Sequence, residues 1–110
     1  MKLAVIFLNK IEFLEDLMTA FLEIGVSGAT VLDSIGMGHI ISQNIPIFAG
    51  LREAFAGSSP NHKLILVVIE EDMVTKVAEA LADICVDIED IKSYFMATFS
   101  IDQLFGFNNS

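Results

Sequence analysis

The sequence predicts an α+β domain, a four-stranded antiparallel sheet with two helices on one face. Three observations carry that expectation. Four short apolar runs alternate with two amphipathic helical stripes. The two halves of the chain match at an offset of about sixty residues. The length of 110 residues and the 54% hydrophobic content suit one compact domain with a single core.

The elements follow in order. Residues 3–8, LAVIFL, form a continuous apolar run of strand length and are expected as a buried strand. Asn9 is expected to cap the helix that follows. In that helix Phe13, Leu14, Leu17, Met18, Phe21 and Ile24 recur at helical spacing. Gly25 stands where a helix ends on a left-handed residue. Ala29–Ile35 reads as the second strand, stopped by Gly36-Met37-Gly38. Leu64–Ile69, LILVVI, reads as the third, and Glu70, Glu71 and Asp72 suit a helix N-terminus through capping and the dipole. Met73, Val74, Val77, Ala78, Leu81, Ala82 and Ile84 repeat the apolar stripe. Ser93–Ile101 reads as the last strand, and residues 103–110 as a tail.

Laid against each other, Lys2-Leu3 answers Lys63-Leu64, Leu14 answers Val74, Leu17 answers Val77 and Phe21 answers Leu81. Two β-α-β units of this length are the pattern of a ferredoxin-like β-α-β-β-α-β fold. Right-handed crossovers put both helices on one sheet face and leave the other bare. Val, Ile, Phe and Met alternate along the strands, so the bare face is expected to be covered by other subunits.

Residues 36–61 form a long connection between strands two and three, and long connections in compact domains are usually functional or disordered. Within it, Phe48, Leu51, Arg52 and Phe55 fall near helical spacing between Pro46 and Gly57. A short helix is expected there, its apolar stripe facing the body or a partner protein.

Net charge is −9, with only six basic residues and no basic cluster. Phosphate backbones are repelled, which argues against nucleic acid. The runs LAVIFL and LILVVI fall far short of the ~20 residues of a membrane helix. Asn9, Lys10, Glu12 and Glu15 interrupt any signal-peptide pattern, so no membrane insertion is expected. The single Cys85 makes no internal disulfide and reads as a small buried hydrophobe. A cytoplasmic protein is expected.

Catalytic chemistry finds little support. Ser58, Ser59 and His62 lie close in sequence, but in a Gly-Ser-Ser-Pro stretch without held geometry. His39 and His62 bracket the long connection, yet their spacing fixes no set of three or four metal ligands. Gly36 and Gly38 read either as turn glycines or as a close approach for a ligand. No enzyme activity and no metal are expected.

In sequence order, several segments resemble the P-II family of signalling proteins. EIGVSGATV at residues 23–31 is similar to the family's lead into its second strand. Gly36-Met37-Gly38 stands where the family has a Gly-aromatic-Gly step at the root of its T-loop. KLILVVIEEDMVTKVAEAL, residues 63–81, is similar to its third strand and second helix. The resemblance implies a homotrimer and a small-molecule effector, such as an adenine nucleotide, in clefts between subunits. It implies that Gly36, Met37, Gly38, His39 and Lys92 line such a cleft. It also implies that Phe48, Leu51, Arg52 and Phe55 present a surface to a regulated partner.

Some positions depart from the family. His39 and Ile40 replace an arginine and a glutamine. Val86–Lys92 replaces a Gly- and Lys-rich phosphate loop, with Asp87, Glu89 and Asp90 opposing a triphosphate. The tail lacks the family's arginines, and no tyrosine stands in the long connection. Ordinary ATP and 2-oxoglutarate sensing is therefore not expected. A cyclic dinucleotide or another nucleotide of lower charge is the alternative ligand, and a trimeric metal-binding protein resembling the CutA family is the alternative function.

Overall fold

The computed structural model describes residues 1–37, 62–87 and 92–107. Strand β1 (Lys2–Leu8) leads through a 3-10 turn (Ile11–Phe13) into helix α1 (Leu14–Glu23) and strand β2 (Thr30–Ser34). Strand β3 (His62–Ile69) leads through a second 3-10 turn (Glu71–Met73) into helix α2 (Val74–Ile84), and β4 (Tyr94–Ser100) follows. The sheet runs β2-β3-β1-β4 with every pairing antiparallel, the order of a ferredoxin-like fold.

The repeat read from the sequence is physical. The two 3-10 turns occupy equivalent places, each entered from an extended residue, Lys10 or Glu70. Leu17 and Phe21 are the buried residues of α1, and Val77 and Leu81 those of α2. They meet Ala4, Ile6 and Leu8 of β1 and Ile65, Val67 and Ile69 of β3 in one core. Burial alternates strictly along both central strands, which fixes their register, because a slip of one residue would turn every core side chain outward.

Helix α1 ends as the glycine predicts. Gly25 takes φ +95°, the Val26 N–H donates to the Phe21 carbonyl at 2.8 Å, and the Gly25 N–H donates to the Leu22 carbonyl at 3.1 Å. This is a Schellman stop, with buried Val26 supplying its apolar contact. The expected helix cap at Asn9 is not what forms. Its amide Nδ2 donates to the Lys92 carbonyl at 3.1 Å and its N–H to the Ser93 carbonyl at 2.8 Å. Asn9 is spent on joining β1 to its neighbour β4. Glu70 likewise makes no side-chain cap, while Glu71 and Asp72 lie in the first turn, where carboxylates complement the dipole.

Register assigns the other sheet face. Leu3, Val5 and Phe7 of β1 lie opposite Phe99, Ala97 and Phe95 of β4, and on the other side opposite Val68, Leu66 and Leu64 of β3. Leu32 pairs with Leu64 and Thr30 with Leu66. Because alternate residues of a strand face opposite ways, all of these share the face away from the core. Met96, by contrast, lies opposite Ile6 on the helix side. The Phe7 and Phe95 rings stack with centroids 4.2 Å apart and planes 13° from parallel. Phe95 and Phe99 remain more than half exposed, at 54% and 55%.

Candidate functional site

The end of β2, the start of β3, the end of β1 and the start of β4 lie together at one end of the sheet, because Ser34 pairs with His62, Lys63 with Leu8, and Leu8 with Tyr94. Three of the expected ligand residues, Gly36, Met37 and Lys92, are described at this end. Gly38, His39, Phe48, Leu51, Arg52, Phe55, Ser58, Ser59, Glu89, Asp90 and the helix expected between Pro46 and Gly57 lie outside the described residues.

Gly36 sits against an imidazole. A Cβ there would stand 3.1 Å from Cε1 of His62 and 3.4 Å from Nδ1, so the ring approaches the backbone as closely as a missing side chain allows. Met37 beside it is 73% exposed. Next along the strands, the Lys63 ammonium pairs with the Asp33 carboxylate directly across from it.

At the opposite sheet edge a second cluster forms around Asp87. Its Oδ1 accepts from the Ser93 N–H at 3.0 Å and lies 3.4 Å from the Ser93 hydroxyl, and its Oδ2 accepts from the Lys92 ammonium at 3.2 Å. The Ser93 hydroxyl, fully buried, donates to the Cys85 carbonyl at 2.9 Å. The Ser93 N–H, and after it the Lys92 ammonium, hold the Asp87 carboxyl below the usual carboxylate range. Asp87 therefore fastens the end of α2 to the start of β4. The sequence places a charge at Asp87 but gives no sign of this clasp, whose signal is only the Asp-to-Ser spacing across the intervening loop. Cys85 beneath it is buried, and burial pushes its thiol up to about 11, as befits an inert core cysteine.

The structure thus joins Gly36 to His62 and Lys92 to Asp87, but it does not bring those two groups together. The first lies just past β2 and at the start of β3, the second just before β4, and the edge strands β2 and β4 are three strand spacings, or about 14 Å, apart. Lys63 and Lys92 are each engaged by a carboxylate of the same chain. Among the described residues, no group of three or more His, Cys, Asp or Glu side chains is arranged to hold a metal ion. No helix among them is long and apolar enough to cross a membrane.

No family model matches the chain, and no curated protein matches it. Among solved structures, it is similar to a functionally unknown protein from Pediococcus pentosaceus ATCC 25745. The two share 18% sequence identity over 96% of each chain, with a TM-score of 0.66. That likeness is one of fold.

Proposed function

We propose that this chain is a non-enzymatic, P-II-like regulatory protein of the cytoplasm. It works as a homotrimer, senses a small molecule in clefts between copies, and controls a partner protein through residues 39–61. The observation that carries the reading is the open sheet face. Leucines, valines and phenylalanines from all four strands share it, and contiguous apolar faces of this kind mark interaction surfaces.

The two sheet edges favour a ring. Val31, Leu32, Ile35 and Met37 are exposed along the β2 side, and Phe95 and Phe99 along the β4 side. Unlike patches on opposite edges suit a head-to-tail contact, which closes into a ring when the rotation between copies is a whole fraction of a turn. In such a ring the β2 edge of one copy meets the β4 edge of the next. Gly36 and Met37 then face Lys92 across a seam that a single copy does not possess.

The ligand in that seam carries less charge than ATP. Asp33 and Asp87 already neutralise Lys63 and Lys92, and desolvating a triphosphate requires free cations. A nucleoside monophosphate or a cyclic dinucleotide meets that limit better. Ligand contacts at the seam bias residues 39–61 between two states, by no more than the ligand's difference in affinity for them. Thermal-shift measurements against ATP, ADP, AMP and cyclic di-AMP test the reading. A nucleotide in large excess over its dissociation constant should stabilise the protein by about 2–4 kcal/mol. Silence from all four discards the nucleotide.

A further inference from the structure

We infer, resting on the ring just proposed, that copies join by backbone hydrogen bonds between β2 of one and β4 of the next, in a single register. The bonds flanking the β1–β4 ladder fix which way each residue of β4 points. The Asn9 N–H donates to the Ser93 carbonyl at 2.8 Å and the Ile101 N–H to the Met1 carbonyl at 3.3 Å. Hydrogen-bonded pairs therefore fall at every second step between them, at Phe7–Phe95, Val5–Ala97 and Leu3–Phe99. The N–H and C=O groups of Tyr94, Met96, Thr98 and Ser100 point out of the sheet. Carried across β1 and β3, the same alternation turns those of Val31 and Asp33 outward from β2.

Strand β4 has none of the devices that keep an edge strand single. Its seven residues, YFMATFS, include no charge and no proline, and its pairing with β1 runs without a bulge. The β2 edge of a second copy fits it in direction and in face. In a sheet of four antiparallel strands β2 and β4 run oppositely. A copy rotated about an axis along the strands thus brings its β2 antiparallel to β4, with the two open faces continuous. One register matches the chemistry of both edges. On the helix side it sets Val31 opposite Ser100, Asp33 opposite Thr98 and Ile35 opposite Met96. On the open face it sets Leu32 opposite Phe99, Ser34 opposite Ala97 and Gly36 opposite Phe95. A slip of two residues one way puts Asp33 against Met96; the other way puts Ile35 against Thr98 and Ser34 against Phe99. Repeated around the ring, the pairing leaves no strand edge open.

Cysteine pairs in the full chain read the register. Ser34→Cys with Ala97→Cys puts two thiols on opposite edge strands, too far apart to bridge within one chain but directly opposite across the seam. Under oxidised glutathione this variant should link into species of two and three chain masses. Leu32→Cys with Ala97→Cys, and Ser34→Cys with Phe99→Cys, place the thiols on the diagonal, about 8 Å apart, and should link about tenfold more slowly. The unsubstituted chain, whose Cys85 is buried, is the blank. In that same chain, amide exchange should be as slow at Met96 and Thr98 as at Ala97. Failure of the Ser34–Ala97 pair to link, equal or faster linking of a diagonal pair, or exchange that alternates fast and slow along β4 overturns the pairing. Light scattering then separates the two failures: three chain masses keep the ring without this pairing, and one chain mass removes both.

Discussion

Replacing Phe95 with aspartate strikes the open sheet face at its most exposed stacked ring. A phenylalanine carries roughly 200 Å² of surface. Phe95 is 54% exposed, so on the order of 100 Å² awaits cover by another copy. At about 25 cal/mol per Å² that contact contributes roughly 2.5 kcal/mol, which weakens association by about 50- to 100-fold at each seam. Burying the new carboxylate adds to the loss. Within one copy the change removes the stack on Phe7, about 1 kcal/mol, which the shared core tolerates. Sedimentation equilibrium at several concentrations reads the association constant, and circular dichroism checks that the fold persists. Leu22→Asp, on an exposed position of α1, is the control and should leave assembly unchanged. If Phe95→Asp assembles as tightly as the unsubstituted chain, the open face is not where copies meet.

Three further outcomes are expected. Ser93→Ala removes the buried hydroxyl donor to the Cys85 carbonyl and should cost about 1–3 kcal/mol in urea unfolding; a loss indistinguishable from zero would mean the clasp holds nothing. Asp87 has a lowered pKa when folded, so its contribution is complete above the ordinary carboxylate range and disappears as pH falls through the folded value. The stability gap between the unsubstituted chain and Asp87→Asn should accordingly stay flat from neutral pH to about 5 and shrink below about 4. Cys85, buried and with its thiol raised to about 11, should react with a thiol reagent at neutral pH only as fast as the protein unfolds. Rapid labelling of the native protein would contradict its placement in the core.

Much of the fold was legible because periodicity and turn chemistry agree. LAVIFL and LILVVI are central strands, and Leu17, Phe21, Val77 and Leu81 are the core of the helices, as their spacing requires. Gly25 ends α1 for the reason its type implies. Asn9 was misread because a capping residue and a strand-end residue share one local signature, and only the adjacency of β1 and β4 decides between them. β3 begins earlier than the apolar run, at His62, because pairing with Ser34 rather than hydrophobicity extends it. The candidate seam was legible only as residue types. That Lys92 is held by Asp87, and that Gly36 lies under an imidazole, depends on contacts between segments remote in sequence. Which backbone groups of β2 and β4 point outward likewise follows from strand order and register, not from residue type.

The most direct measurement is the mass of the unsubstituted protein in solution, by light scattering coupled to size exclusion, across the micromolar range. A particle of three times the 12.0 kDa chain mass, unchanged on dilution to low micromolar concentration, is the expected result. A particle of one chain mass throughout would mean that the apolar sheet face stands open to water, and the seam between copies, with its ligand, would not exist.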